Sequence, residues 1–223
     1  MLKLSMFFHI TFVLCLCTKL CFAGDSDNLQ DICPTGTPPK QTIFINGFPC
    51  KNPTNITASD FKSSLLNHGG DTDNFLQSST KIVTASEFPG LNTLGLSVAR
   101  IDLDIDGLVM PHSHPRASEI FFVSKGIVVA GFIDTNNQLF QGILREGDVF
   151  VIPRGLLHYY LNGGFETATI IAVLNSQSPG VVSIADAMFT PDDSEAMERI
   201  KRSVISRSLL ELDNAEDVNL SRV

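Results

Sequence analysis

Between residues 81 and 184 the apolar positions come in short runs broken by Gly, Pro, Asn and Asp. Arg100-Ile101-Asp102-Leu103-Asp104-Ile105-Asp106 alternates polar and apolar at every step. Successive side chains of a strand point to opposite faces, so this stretch predicts a half-buried β-strand. Further runs at residues 119–123, 127–133, 138–144, 148–152, 167–174 and 181–184 follow at near-regular intervals. Short strands separated by turns predict an all-β architecture, an antiparallel sandwich or barrel.

On either side the pattern changes. Residues 24–80 are rich in Pro, Gly, Asn and Ser and predict an irregular extension. One short helix is expected to open at Thr57-Ala58-Ser59-Asp60, ahead of Phe61 and Leu65-Leu66. After Pro191, the residues Asp192, Asp193 and Ser194 can cap a helix, and Met197, Ile200, Val204, Ile205 and Leu209 recur at helical spacing. That stripe would suit either its own sheet or a neighbouring subunit, and periodicity does not choose between them. Residues 1–23 carry Lys3, an apolar run over residues 6–17, and Cys21-Phe22-Ala23 with small side chains at the −3 and −1 positions, the order of a secretory signal peptide. The run is short of the ~20 residues that cross a bilayer, so a secreted chain without a membrane span is expected. The expected division is a signal at 1–23, an extension at 24–80, a β-domain at 81–190 and a helical segment at 191–223.

Charge and cysteines narrow the function. Sixteen Lys+Arg against 24 Asp+Glu give a net charge of −8. Loss of residues 1–23 removes two lysines and no acid, leaving 200 residues with 14 basic and 24 acidic groups, net −10. Phosphate contacts need a basic face, which argues against a nucleic-acid partner. Cys15, Cys17 and Cys21 leave with the signal, so only Cys33 and Cys50 remain. In an oxidising compartment the simplest outcome is one disulfide closing a short loop, stabilising by ~3 kcal/mol; two free buried thiols are the alternative. Asn55-Ile56-Thr57 and Asn219-Leu220-Ser221 are glycosylation sequons, whereas the proline of Asn52-Pro53-Thr54 blocks a third.

Three of the four histidines beyond residue 23 fall in two compact clusters. His112 and His114 are two residues apart, so an extended chain presents both imidazoles to one side, and Glu119 follows at the start of the next strand. His158 follows a Pro153-Arg154-Gly155 turn on a different strand. Three imidazoles and one carboxylate at turn-bounded strand ends point to a metal site, and that donor set suits Mn, Fe, Zn or Cu. His68, beside Gly69-Gly70, reads as a surface residue.

These clusters resemble the two motifs of the cupins, G-x5-H-x-H-x3,4-E-x6-G and G-x5-P-x-G-x2-H-x3-N. The second is met at every position from Gly147 to Asn162. The first is met from His112 to Gly126, with Asp106 at its leading glycine and Gly107 one place later. Phe88-Pro89-Gly90-Leu91-Asn92-Thr93-Leu94-Gly95, Pro111-His112-Ser113-His114-Pro115-Arg116-Ala117 and Ser176-Gln177-Ser178-Pro179-Gly180 look like a plant germin-like protein, and the likeness spans nearly all of residues 24–223, including the Cys33/Cys50 pair. The resemblance implies a jelly-roll β-barrel with a disulfide-tied N-terminal extension and C-terminal helices that interlock subunits. It also implies a homo-oligomer, usually a hexamer built as a trimer of dimers, in the cell wall or apoplast. One manganese ion per subunit would sit on His112, His114, Glu119 and His158.

Three activities fit that resemblance. Superoxide dismutation would use the ion as a one-electron relay; the acidic chain would repel this anion, so attraction must be local, with Arg116, Lys125, Arg145 and Arg154 nearby in sequence. Oxalate oxidation, the reaction of cereal germins, is expected to be weak, because the positions of two asparagines in those enzymes are Ala99 and Val109 here. A wall-associated binding or receptor protein, auxin-binding for example, with a mainly structural metal, is the third. A nucleotide phosphodiesterase is remote, since the chain shows no phosphate loop.

Overall fold

In β2 (Ser97–Leu103) every second residue is buried, which is the alternation its sequence carries. The computed structural model describes residues 31–36, 47–184, 187, 195, 198–206 and 208. The expected signal peptide, the cap candidates Asp192, Asp193 and Ser194, Met197, Leu209 and the Asn219 sequon lie outside the described residues. The chain divides into two units between Asp31 and Ile32, and all the strands belong to the second.

Among the described residues ten strands make up the fold: β1 (Ser78–Val83), β2 (Ser97–Leu103), β3 (Leu108–Ser113), β4 (Glu119–Lys125), β5 (Ile127–Ile133), β6 (Leu139–Arg145), β7 (Val149–Ile152), β8 (Leu157–Asn162), β9 (Ala168–Leu174) and β10 (Val182–Ser183). They form two five-stranded sheets, ordered β1-β2-β9-β4-β7 and β10-β3-β8-β5-β6, and every pairing is antiparallel. The inner faces meet in one core, with Ile101, Phe121, Ile152 and Ile170 from the first sheet against Val128 and Tyr160 from the second. Burial of apolar area on both inner faces is what holds such a jelly roll together.

A second cluster covers the outer face of the second sheet. Leu108, Met110, Val129, Tyr159 and Leu161 pack there against Ile200, Val204 and Ile205 of the helical residues 198–206. Ile200, Val204 and Ile205 of the apolar stripe therefore pack on their own sheet. Lys201 anchors it by donating to Phe75 O and Gln77 Oε1, each at 3.0 Å.

The expected strand over 100–106 is shifted. It runs three residues earlier and ends at Leu103, where Gly107 N bonds Asp104 O at 2.9 Å and closes a turn. Asp106 adopts φ 58 in this turn. That is a left-handed conformation which Asp tolerates better than most residues, so Asp106 serves where the motif has glycine. Alternation continues through the turn because polar residues suit its exposed side. The expected helix at residue 58 is only a 3-10 turn, Ala58–Phe61, stopped by extended backbone at Lys62. Phe61 and Leu65 stay 41% and 40% exposed, and a single turn without buried apolar area does not propagate.

Cys33 and Cys50 form a disulfide. It lies beside the isolated bridge between Thr35 and Cys50, and Asn92 ties it to the core unit by donating to Cys33 O at 3.0 Å.

Candidate metal centre

Strands β3 and β8 pair with Val109 opposite Tyr160 and His112 opposite His158. Two residues, Met110 and Pro111, therefore face the single residue Tyr159, which is a β-bulge. The bulge decides where His112 points. Val109 and Tyr160 pack in the core between the sheets, while Met110 and Tyr159 pack in the outer cluster. Strict alternation from Val109 would turn His112 outward; one extra residue turns it inward. Pro111 cannot donate to a ladder, and a bulge is where a strand accepts proline.

His114 lies just beyond β3 in a clamped loop. Its carbonyl accepts from Gly155 N at 3.1 Å and Ala117 N at 3.3 Å, and Arg116 donates from N to Pro179 O at 3.1 Å and from Nε to Ser178 O at 2.7 Å. His158 enters β8 after a turn in which Gly155 has φ +74, a conformation that glycine adopts without a steric penalty. Glu119 opens β4 on the inner face, paired with Ile152 and Leu174. Both sheets thus contribute to one point.

All four side chains are buried, with exposures of 7% for His112, 4% for His114, 3% for Glu119 and 1% for His158. Each Nδ1 lies against a backbone carbonyl: His112 on Met110 O at 2.9 Å, His114 on Gly180 O at 2.7 Å, and His158 on Leu156 O at 2.9 Å. A carbonyl only accepts, so Nδ1 holds a proton and the neutral ring offers a lone pair at Nε2. One ligand nitrogen from each ring lies within 4.8 Å of the others. Glu119 Oε2 is 3.2 Å from His114 Nε2 and 3.5 Å from His158 Nε2, so the carboxylate oxygen and these nitrogens converge on one point. Yet Glu119 Oε2 and His158 Nε2 have no aligned hydrogen-bond partner.

The electrostatics favour a neutral His112 and an ionised Glu119. Burial, reinforced by the neighbouring imidazoles of His158 and His114, pushes His112 down to about 3. Burial also works to raise Glu119, but His114 and His158 outweigh it and hold this carboxyl at about 2. Burial works to lower His114, and Glu119 together with the Gly180 carbonyl reverses this, so its pKa is raised. Tyr160 donates to Glu119 Oε1 at 2.8 Å, and burial with that carboxylate raises the phenol well above its usual range. An unpartnered buried polar atom costs on the order of 1–3 kcal/mol. A cation bound here would satisfy lone pairs and a negative oxygen together. Imidazole nitrogen with carboxylate oxygen suits Mn, Fe, Zn or Cu. The residues present fit such an ion, and the three histidines form a metal-binding site.

Other candidates separate. His68 is exposed and outside the histidine group. Ala99 and Val109 both pack in the core between the sheets. Arg154 donates to Pro115 O at 3.1 Å, so it and Arg116 stand at the His114 loop. Lys125 ends β4 away from Glu119, and Arg145 pairs with Ile127 at that same end. Tyr160 was not among the sequence candidates. The available signal was its position two residues after His158, which puts both on one face of β8. Nor did the motif give Asn162 a role; this residue donates to Asp104 O at 2.8 Å and Glu166 O at 2.7 Å, holding two turns.

Histidines gathered between the sheets of an antiparallel jelly roll define a cupin, and the Cupin family profile matches residues 63–212. Within that class the chain belongs to the germin-like proteins of plants. It is 60% identical over 179 residues to germin-like protein subfamily 3 member 4 of Arabidopsis thaliana, covering 80% of this chain and 85% of the relative. It is 55% identical over 196 residues to germin-like protein 11-1 of Oryza sativa subsp. japonica, covering 88% of each. A solved structure of oxalate oxidase superposes with a TM-score of 0.71 at 34% identity, covering 81% of this chain and 98% of that one.

Proposed function

We propose that this chain is a secreted manganese protein of the plant cell wall and apoplast, and that it dismutates superoxide to oxygen and hydrogen peroxide. The observation that carries this reading is the convergence of His112, His114, His158 and Glu119, with Glu119 Oε2 and His158 Nε2 buried and unpartnered. These four residues would hold one ion per subunit. The donor set alone suits several metals, and the germin resemblance selects manganese.

When bound, the ion supplies a one-electron couple, so that two superoxides and two protons become one oxygen and one hydrogen peroxide. The chain does the rest. Carbonyls of Met110, Gly180 and Leu156 fix the tautomer and orientation of the three rings. Tyr160 holds Glu119, and Phe121 packs against Tyr160 to keep water from the inner side. Arg116 and Arg154 offer positive charge at the His114 loop on an otherwise acidic chain, the local attraction an anionic substrate needs. Oxalate oxidation ranks below dismutation although a structural neighbour is an oxalate oxidase. Ala99 and Val109 have no side-chain donor for a dicarboxylate, and a site without its donors discriminates poorly.

Secretion rests on the signal-like residues 1–23, and Asn55, exposed in the turn Pro53–Asn55, suits a glycan. A homo-oligomer, a hexamer by the resemblance, is supported by an exposed apolar face on the first sheet. Ile120 there lies between Val151 and Val173. Among the described residues no helix is long and apolar enough to cross a membrane.

The decisive experiment is elemental analysis combined with superoxide and oxalate assays on one preparation. Near-stoichiometric manganese, a dismutase activity that resists cyanide, and loss of both in His114→Ala are expected. A fully metallated but inactive protein would move the chain to the binding class, and rapid peroxide release from oxalate would reverse the ranking of the two oxidative reactions.

A further inference from the structure

We propose that Tyr160 is a positioning residue that engages one oxygen of Glu119, so that the carboxylate meets the metal through Oε2 alone. This deepens the metal reading above and rests on it. Tyr160 sits on β8 opposite Val109 of β3 and Ala130 of β5, in the middle of the second sheet. It is 1% exposed. Its ring packs edge-on against Phe121 at 5.1 Å and 84°, and lies 6.0 Å from His112 and 5.7 Å from His158. The phenol has no room to swing away, and its hydroxyl donates to Glu119 Oε1 at 2.8 Å.

The other oxygen has the opposite surroundings. Oε2 lies 3.2 Å and 3.5 Å from the Nε2 atoms of His114 and His158 and has no hydrogen-bond partner. A carboxylate with two free oxygens can rotate or chelate through both. One held by a hydrogen bond to its charged oxygen does neither freely. Tyr160 would therefore set how many positions a bound ion keeps for small ligands, since three nitrogens and one oxygen would leave one more than three nitrogens and a chelating carboxylate. The bond joins the two sheets directly at the site, since Glu119 belongs to the first and Tyr160 to the second.

The test compares wild type, Tyr160→Phe and Tyr159→Phe, each reconstituted with manganese. Tyr159 is the matched control. Its hydroxyl points to the other face of the same strand, where it bonds Gln141 and Ser208. Removing an outer-shell partner of a metal ligand typically weakens metal binding by ~10–100-fold. Tyr160→Phe is expected to raise the manganese dissociation constant within that range, measured by competition with a chelator, and to change the Mn(II) electron paramagnetic resonance spectrum. Tyr159→Phe is expected to lower the unfolding temperature while leaving both metal readouts at wild-type values. If Tyr160→Phe keeps the wild-type constant and spectrum, or if both variants shift them alike, the positioning role is overturned while the metal reading stands. A wild type that takes up no transition metal overturns the metal reading, and this proposal with it.

Discussion

Asn92 is fully buried, and its side chain reaches three backbone groups from a distant part of the chain. Oδ1 accepts from Phe48 N at 2.9 Å, while Nδ2 donates to Phe48 O at 2.8 Å and Cys33 O at 3.0 Å. It is a polar rivet through the disulfide loop, and a hydrocarbon of its size could make none of these bonds. At ~0.5–1.5 kcal/mol per bond, Asn92→Ala is expected to lose about 3 kcal/mol of stability, read from urea unfolding. An unchanged midpoint would show that the disulfide holds the loop unaided. The disulfide closes a segment with a separation of 17 residues, so Cys33→Ser with Cys50→Ser should cost ~3 kcal/mol in the same measurement.

At the scale of elements, Asp102 on β2 joins three segments. It accepts from Gly70 N at 2.9 Å, from Thr169 Oγ1 of β9 at 3.1 Å and from the Arg100 guanidinium at 2.9 Å. Burial works to raise its pKa, but the Arg100 side chain and the Gly70 amide outweigh this and hold it below the ordinary 3.8. The folded chain thus keeps this group ionised to lower pH than the unfolded chain does. Its contribution is fully present above about pH 4 and is lost as pH falls through the depressed value. Asp102→Asn should therefore be less stable than wild type at neutral pH, and the two should converge below pH 4 in thermal unfolding; parallel curves would sink this account. The strands themselves were largely legible. Observed β4 to β7 and β9 coincide with predicted runs to within two residues, because each half-buried strand must alternate and each turn must break that alternation. β1 and β3 were not. β1 is an edge strand that opens Ser78-Ser79-Thr80 with little buried, and β3 contains Pro111, which ordinarily argues against a strand. The bulge that reconciles Pro111 with the ladder depends on the partner strand β8, which no local pattern contains. The four proposed ligands were readable from spacing. The carbonyls that hold them, from Gly180 and Leu156, and the hydroxyl of Tyr160 were not, since those contacts exist only once the sheets face each other.

For the whole molecule, the first sheet has two faces with different duties, and β4 shows both. Glu119, Phe121 and Val123 point inward to the site and core, while Ile120 and Phe122 point outward at 47% and 42% exposure. The register makes the outward residues continuous: Ile120 lies between Val151 and Val173, and Phe122 between Val149 and Ile171. A contiguous apolar face of this kind marks an association surface, and a second copy of the chain offers the same face by two-fold symmetry. Association must overcome like charge, since each copy carries −8, or −10 without residues 1–23. Salt screens that repulsion, so the assembly should tighten as ionic strength rises, as a surface held by ion pairs would not. Phe122→Glu places a carboxylate at the centre of the patch without touching the inner face. It should sediment as a smaller species than wild type while keeping its circular dichroism and its bound metal. If Phe122→Glu sediments as wild type does, this patch does not hold copies of the chain together.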